Sequence, residues 1–216
     1  MDEALDSLPI FPLPGGVVLP HELVPLHVFE PRYRRMILDC NAGRKQLALA
    51  NIPDEEAAGE TPPRVLPVVG VALLTSVEPL PDGRFNILVR GLRRARIRAE
   101  LPTALPYRLV RAEPLDVDPA ELQSAGARRG ADALRRLILA LCAARPGQET
   151  AALARLAANA GDASDLADIV AGAVLQSPQD RQAVLEAIHL EERLALVHEA
   201  TAAILAHSPP PASARN

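Results

Sequence analysis

Short apolar runs separated by proline and glycine fill the first 119 residues of the chain. Apolar and polar positions alternate through residues 84–91 and 94–101, as they do in half-buried strands. A Pro-Asp-Gly sequence at residues 81–83 predicts a hairpin turn. We therefore predict six or seven short strands, at residues 8–13, 23–29, 46–52, 68–80, 84–91, 94–101 and 107–115.

One helix is predicted between the second and third strands. Pro31 has a preset φ and no N–H group, which suits the first turn of a helix, and Gly43 is a suitable stop. Short strands around a single helix are typical of a small, mostly antiparallel β-barrel. The helix repeats apolar residues at helical spacing, and its predicted buried face is Tyr33, Met36, Ile37 and Cys40.

The pattern changes near residue 118, where the prolines become rare and the apolar spacing becomes helical. Sixteen of the 21 prolines and all five aromatic residues lie before residue 120. Asp162 or Ser164 can cap one helix, and Ser177 followed by Pro178 marks the start of another. Four antiparallel helices are predicted. The expected domains are a β-barrel at residues 1–118, an α-helical bundle at 119–208 and a disordered tail at 209–216.

Composition and charge favour an ordinary soluble protein. The net charge is −4, so no overall field attracts nucleic acid or an acidic membrane. The sequence predicts neither a signal peptide nor a membrane span. The two cysteines, Cys40 and Cys142, are too far apart in sequence to indicate a zinc site or a disulfide framework. We expect a cytoplasmic protein.

Catalytic and metal-binding motifs are missing from the chain. The five histidines form neither H-x-x-x-H nor H-E-x-x-H, and G-x-S-x-G does not occur. Cys40 lies on the apolar face of the predicted helix and Cys142 lies beside Leu141, so both are expected to be inert thiols of the core. We therefore predict no catalytic residue, no metal site and no cofactor.

Several phrases, in a fixed order, carry a resemblance to a known family. They are LPIFPLPGGVVLP at residues 8–20, LHVFEPRYRR at 26–35, LPDGR at 80–84 and VRGLRR at 89–94. The chain resembles the N-terminal substrate-recognition domain of the Lon protease family over about residues 8–205. The resemblance implies an α+β fold, a PUA-like β-barrel followed by an α-helical bundle.

The resemblance also shows which parts of a Lon protease the sequence lacks. Lys45 is the only lysine, and it stands between Arg44 and Gln46, so a Walker A loop cannot form. The same lysine would have to serve any Ser–Lys dyad. We expect a stand-alone, non-enzymatic recognition domain. The resemblance implies that its partners are unfolded polypeptide and a protease or chaperone.

The recognition role makes three aromatic residues candidates. Phe29, Tyr33 and Phe85 would line an apolar groove for polypeptide, or alternatively belong to the core. Glu30 would pair with Arg32, or with an arginine such as Arg93, in a structural ion pair between helix and sheet.

Two other functions remain open from the sequence. Arg94, Arg96 and Arg98 alternate along one predicted strand, so an RNA-binding arginine face is an alternative. The acidic net charge and the lack of interleaved aromatic residues argue against nucleic acid. A small-ligand sensor with a pocket in the barrel is a further alternative.

Overall fold

The computed structural model describes residues 5–207, and its contacts divide the chain into two compact units, residues 1–116 and 117–216. The strands lie in the first unit and are followed by helices, so the predicted α+β class is confirmed. The first unit contains β1 (Leu8–Pro14), β2 (Leu23–Val28), α1 (Pro31–Ala42), β3 (Gln46–Ile52), α2 (Glu55–Gly59), β4 (Val68–Pro79), β5 (Phe85–Leu101) and β6 (Leu109–Pro114).

The predicted domain limits, residues 1–118 and 119–208, stay a prediction. The predicted tail at residues 209–216 lies outside the described residues. The second unit contains α3 (Pro119–Leu122), α4 (Ala125–Ala144), α5 (Gln148–Ala158), α6 (Ala163–Val174), α7 (Pro178–Glu186) and α8 (Leu190–Ala206).

Strand β5 is 17 residues long and organises the sheet of the first unit. One of its edges pairs with β4, while the other pairs with β2 at residues 85–90 and with β6 at residues 95–101. The strand order is β2-β5-β4-β3-β1-β6, and β6 returns to β5. Strands β5, β4, β3, β1 and β6 therefore form a closed ring. Only β1 and β3 run parallel among these pairs, so the predicted mostly antiparallel barrel is confirmed.

The sequence predicted two strands where the structure has the single strand β5. The predicted break at residues 92 and 93 is instead an irregularity in the pairing of β5 with β4, directly after a close approach of another segment at Gly91. A Cβ at Gly91 would lie 1.9 Å from the backbone oxygen of Leu19. The Gly91 N–H donates to the Glu22 carbonyl, and the His21 N–H donates to the Gly91 carbonyl. Because glycine has no side chain, the segment of residues 19–22 can approach β5 closely at Gly91, and β5 continues beyond this point to Leu101.

Apolar side chains on the two faces of the sheet form two separate cores. Neighbouring residues of a strand point to opposite faces, so Ile10 and Phe11 belong to different cores. The face covered by α1 holds the large residues of that helix, as predicted from its spacing. The core drawn from the five ring strands is rich in small residues and includes Ala48, Ala50, Ala95, Ala112, Val69, Val71 and Val110.

A hydrogen bond links helix α1 to Tyr107, which lies just before β6. The Tyr107 hydroxyl donates to Asp39 Oδ2 at 2.9 Å, and Arg35 Nε donates to the same oxygen at 2.9 Å. The hydrogen bond from Arg35 is the main cause that holds the pKa of Asp39 below its usual value. Burial, followed by the hydrogen bond to Asp39, raises the pKa of Tyr107 from 10.0 to about 12.

The second unit contains six helices in residues 117–207, where the sequence predicted four. Helix α5 was missed because its alanine-rich sequence buries only Leu153 and Ala157. The predicted caps are confirmed, with Asp162 accepting from the N–H groups of residues 164 and 165. Ser177 likewise accepts from the Asp180 N–H at the start of α7.

A buried arginine ties α8 to α6 and to the loop that precedes α8. Arg193 is fully buried, and its Nη1 lies 3.7 Å from Oδ2 of the buried Asp168. Arg193 Nη1 also donates to the Ser164 hydroxyl at 2.8 Å, and Nε donates to the Ala187 carbonyl at 3.0 Å. This pair could not be predicted from the sequence pattern, because an arginine in a helix is usually exposed.

Replacing Arg193 by alanine is expected to destabilise the second unit by about 3 kcal/mol, since it leaves the Asp168 carboxylate buried without its cation. Urea unfolding followed by far-ultraviolet circular dichroism measures the change. The control is Arg135→Ala, because Arg135 is exposed and pairs with Asp132 at the surface. Equal stability of the two variants would contradict the structural role of Arg193.

Replacing Tyr107 by phenylalanine is expected to change how stability depends on alkaline pH. Because folding raises the pKa of Tyr107, its contribution to stability is fully present below pH 10.0, the ordinary pKa, and is lost as the pH rises towards 12. Tyr107→Phe should lose about 1 kcal/mol near neutral pH through the missing hydrogen bond. Between pH 10 and 12 its urea midpoint should fall less than that of the wild type. Parallel curves in that range would contradict the assignment.

Candidate functional site

Strand β2 stands at the open end of the strand order. It pairs with β5 along one edge, and among residues 5–207 no strand pairs with its other edge. Its side chains alternate, with Leu23, Pro25 and His27 exposed on one face. Val24 and Leu26 are half-buried and pack against the core on the other face. An unpaired edge of this kind presents backbone N–H and C=O groups that a second extended chain can pair with.

Two large apolar side chains mark the two ends of this open edge. Leu23 begins β2 and is 56% exposed, while Phe29 directly follows β2 and is 61% exposed. Six residues of extended chain separate them by about 20 Å. The ring of His27 stacks near Phe29, with their centroids 6.3 Å apart. We call the open side of β2, from Leu23 to Phe29, the β2 edge.

The other two aromatic candidates lie in the core of the first unit. Tyr33 is 5% exposed and packs on Phe11, with ring centroids 4.4 Å apart, and Phe85 is 9% exposed opposite Val28. Burial raises the pKa of the Tyr33 hydroxyl. The predicted groove-wall role does not fit either residue, because their rings are covered by other side chains. Of the three predicted aromatic residues, Phe29 alone offers its ring to solvent.

The predicted ion pair of Glu30 forms within the start of α1. Arg32 Nη2 lies 2.8 Å from Glu30 Oε2, and the guanidinium also stacks over the Tyr33 ring at 4.7 Å. Both partners are about 40% exposed, so the pair contributes little to stability. The pair joins two neighbouring residues and does not cross from helix to sheet. Arg93 lies half-buried on β5 opposite Val71.

The three arginines of the alternative RNA face do not share one exposed surface. Arg94 is 4% exposed, Arg96 is half-buried, and only Arg98 is exposed. Arg98 already forms an ion pair with Glu113 on β6. Exposure instead rises along β5 from Arg94 to Arg98, and the pairing of β5 with β6 is also irregular between residues 97 and 99.

A polar cluster borders Phe29 on the outer face of the sheet. Arg84 Nη1 donates to His27 Nε2 at 3.1 Å, and Arg84 Nε lies 2.5 Å from Asp82 Oδ2. Since arginine can only donate, Nε2 of His27 is the acceptor and its Nδ1–H donates to Asn86 Oδ1 at 2.9 Å. The sequence analysis did not single out these residues. The signal that could have found the β2 edge is Pro25, because proline inside a strand indicates an edge strand.

One cavity of the first unit lies beside Tyr107, Asp39 and Cys40. Its volume is about 210 Å³, below the volume of about 300 Å³ at which ligand pockets usually begin. Burial raises the pKa of the Cys40 thiol to about 12, so the thiol stays protonated and unreactive. Within residues 5–207, no group of His, Cys, Asp and Glu side chains has the arrangement of a metal site.

The second unit has a larger groove of about 930 Å³ between its helices. Leu141, Leu153 and Val174 form apolar parts of its wall, and Arg145 and Glu149 contribute opposite charges. None of the helices in residues 5–207 is long and apolar enough to cross a membrane.

Comparison with known proteins shows the family. Residues 7–202 match the family described as the ATP-dependent protease La (LON) substrate-binding domain. The Lon protease of Roseiflexus castenholzii is 31% identical over 191 residues, which are 88% of this chain and 23% of that protein. Lon protease 2 of Bdellovibrio bacteriovorus is 28% identical over 94% of this chain and 25% of that protein. The chain thus spans about a quarter of the length of the curated relatives it matches.

Two solved structures have the same fold. The N-terminal domain of the Mycobacterium avium complex Lon protease superimposes with a TM-score of 0.71 at 24% identity, covering 91% of this chain and 98% of that one. The Lon N-terminal domain protein from Xanthomonas campestris gives a TM-score of 0.50 at 21% identity, covering 94% of this chain and 99% of that one. With the family match over residues 7–202, the chain belongs to the Lon substrate-binding domain family.

Proposed function

We propose that this domain binds exposed, extended segments of unfolded polypeptide at the β2 edge, without catalysing a reaction on them. The observation that carries the proposal is the unpaired edge of β2 between two exposed apolar side chains, Leu23 and Phe29. The substrate-binding description of the family supports the same role.

Backbone pairing at β2 would give affinity for many sequences. A bound segment would add a strand next to β2, using main-chain groups that every polypeptide has. Leu23, Pro25 and His27 face outwards on β2 and would meet alternate side chains of that segment. Pro25 cannot donate a hydrogen bond, so pairing would be weaker at the middle of the edge. Weak and sequence-tolerant binding suits a domain that recognises unfolded chains.

Apolar contacts at the two ends would favour unfolded over folded partners. Folded proteins bury most large apolar side chains, whereas an unfolded segment offers them to Leu23 and Phe29. The open ring of Phe29 can stack on an aromatic or aliphatic side chain of the segment.

Binding of unfolded polypeptide would allow the domain to deliver such chains to another protein. We infer that the domain acts as an adaptor or accessory in proteolysis or protein quality control, with a protease or chaperone as partner, in the cytoplasm. The RNA-binding alternative is weaker because Arg94 is buried and Arg98 is already paired with Glu113. The small-ligand alternative is weaker because the cavity beside Tyr107 measures only about 210 Å³.

Phe29→Ala is expected to weaken binding of an unfolded polypeptide by about fivefold, since it removes an exposed ring worth about 1 kcal/mol at an interface. Fluorescence anisotropy with a labelled, reduced and carbamidomethylated protein that cannot refold measures the affinity. Leu23→Ala should weaken binding by a smaller factor.

The matched control is Leu156→Ala, because Leu156 is 56% exposed but lies on α5 in the second unit. Its affinity should equal that of the wild type. Wild-type binding should also change little between low and moderate salt, whereas RNA binding through phosphate contacts would fall steeply. Equal affinities of Phe29→Ala and Leu156→Ala would contradict the proposed site.

A further inference from the structure

The pairing of β2 with β5 determines which backbone groups of β2 face the β2 edge. The Gly91 N–H donates to the Glu22 carbonyl, so the backbone of Glu22 points towards β5. In antiparallel strands the N–H and C=O groups of successive residues point in alternate directions. Strand β2 pairs with β5 in one unbroken register, so this alternation continues along the strand. The residues that bond to β5 are therefore Val24, Leu26 and Val28, and the residues whose backbone groups face the β2 edge are Leu23, Pro25 and His27.

A contact on the far side of β5 gives the same direction for Pro25. Pro25 is opposite Leu88, and the Leu88 carbonyl accepts a hydrogen bond of 2.8 Å from the Thr75 hydroxyl on β4. That carbonyl points away from β2, so Leu88 and Pro25 oppose each other without exchanging backbone hydrogen bonds. Proline within a strand is also expected to direct its nitrogen to the side that has no partner strand. The Pro25 nitrogen therefore faces the β2 edge.

The β2 edge thus lacks one hydrogen-bond donor at its middle. Leu23 and His27 each present an N–H and a C=O group, whereas Pro25 presents only a C=O group. The Cδ atom of the proline ring occupies the place of the missing hydrogen. A single polypeptide segment that pairs with β2 loses one hydrogen bond at Pro25 and can form the bonds to Leu23 and His27.

The missing donor affects two positions when two copies of β2 pair with each other. Exposed edge strands are the usual sites of such self-pairing. Two copies of one chain associate most often about a two-fold axis, so each copy would contribute its own Pro25. Two hydrogen bonds are then missing, and two proline rings lie between the strands. When the two strands overlap most fully, the two prolines are directly opposite each other.

We propose that Pro25 makes the β2 edge selective for an extended segment of another polypeptide over a second copy of this chain. This selectivity rests on the proposed function and adds the partner that the edge rejects. Leu23 and Phe29 are exposed at the ends of the edge and would otherwise favour association of two copies. One missing hydrogen bond weakens the binding of another polypeptide by about fivefold, and two weaken self-pairing by about 25-fold.

Pro25→Ala tests this selectivity, because alanine restores the N–H group without adding apolar surface. Sedimentation velocity over a range of protein concentrations measures self-association. Pro25→Ala should dimerise with a dissociation constant about 25-fold lower than that of the wild type. Its dimers should dissociate when excess reduced and carbamidomethylated polypeptide is added, because both associations use the β2 edge. Fluorescence anisotropy should show that this polypeptide binds Pro25→Ala about fivefold more tightly than the wild type.

The matched control is Pro102→Ala, because Pro102 is exposed and lies directly after β5, outside the strands. This substitution also removes a proline, but it adds no donor to the β2 edge. Its self-association and its affinity for unfolded polypeptide should equal those of the wild type. Circular dichroism of both variants confirms that they are folded.

Amide hydrogen exchange of the wild type, followed by nuclear magnetic resonance, tests the direction of the backbone groups without a variant. The N–H groups of Leu23 and His27 should exchange faster than those of Val24 and Leu26, which bond to β5. The reverse order would place the Pro25 nitrogen towards β5 and would overturn the proposal.

The remaining outcomes separate this proposal from the proposed function. Equal self-association of Pro25→Ala and the wild type, or dimers of Pro25→Ala that persist in excess polypeptide, would overturn the role of Pro25 and leave polypeptide binding at the β2 edge intact. Failure of Phe29→Ala to weaken polypeptide binding would instead overturn the proposed function itself.

Discussion

The pairing of β5 with three strands is the constraint on which the first unit depends. Strand β4 occupies one edge of β5, so β2 and β6 must share the other edge. Because β6 takes the second half and closes the ring, β2 is held on the first half, outside the ring. The segment that crosses at Gly91 separates the two halves. The open edge of β2 is thus a consequence of how the barrel closes.

That placement also determines where Phe29 lies. Strand β2 leads through Phe29 into α1, and Tyr33 anchors that helix in the core. Phe29 itself remains exposed at the end of the β2 edge. The phrase FEPRYR, which helps to indicate the family, therefore also contains a candidate contact for polypeptide.

Local patterns in the sequence were sufficient to predict most of the helices and strands. Strand β3 and helix α1 could be predicted because their apolar spacing, Pro31 and Gly43 act within a few residues. Strand β5 was predicted as two strands because the local pattern is interrupted at residues 92 and 93, whereas its partner β4 pairs with it on both sides of that irregularity. The buried pair of Arg193 and Asp168 was missed because each charge is acceptable only in the presence of the other.

The candidate site was predicted only in part, because periodicity gives the face of a residue but not what covers that face. Tyr33 and Phe85 were indistinguishable from Phe29 in sequence, yet two are buried and one is exposed. Arg94, Arg96 and Arg98 alternate in sequence, but in the structure they are buried, half-buried and exposed in turn.

Amide hydrogen exchange with and without an unfolded polypeptide shows whether β2 pairs with a bound chain. We expect slower exchange in Leu23–Val28 when the polypeptide is bound, because its backbone would pair with the open edge. Unchanged exchange in β2, with protection instead around the groove of Leu141 and Leu153 in the second unit, would rule out the β2 edge as the binding site.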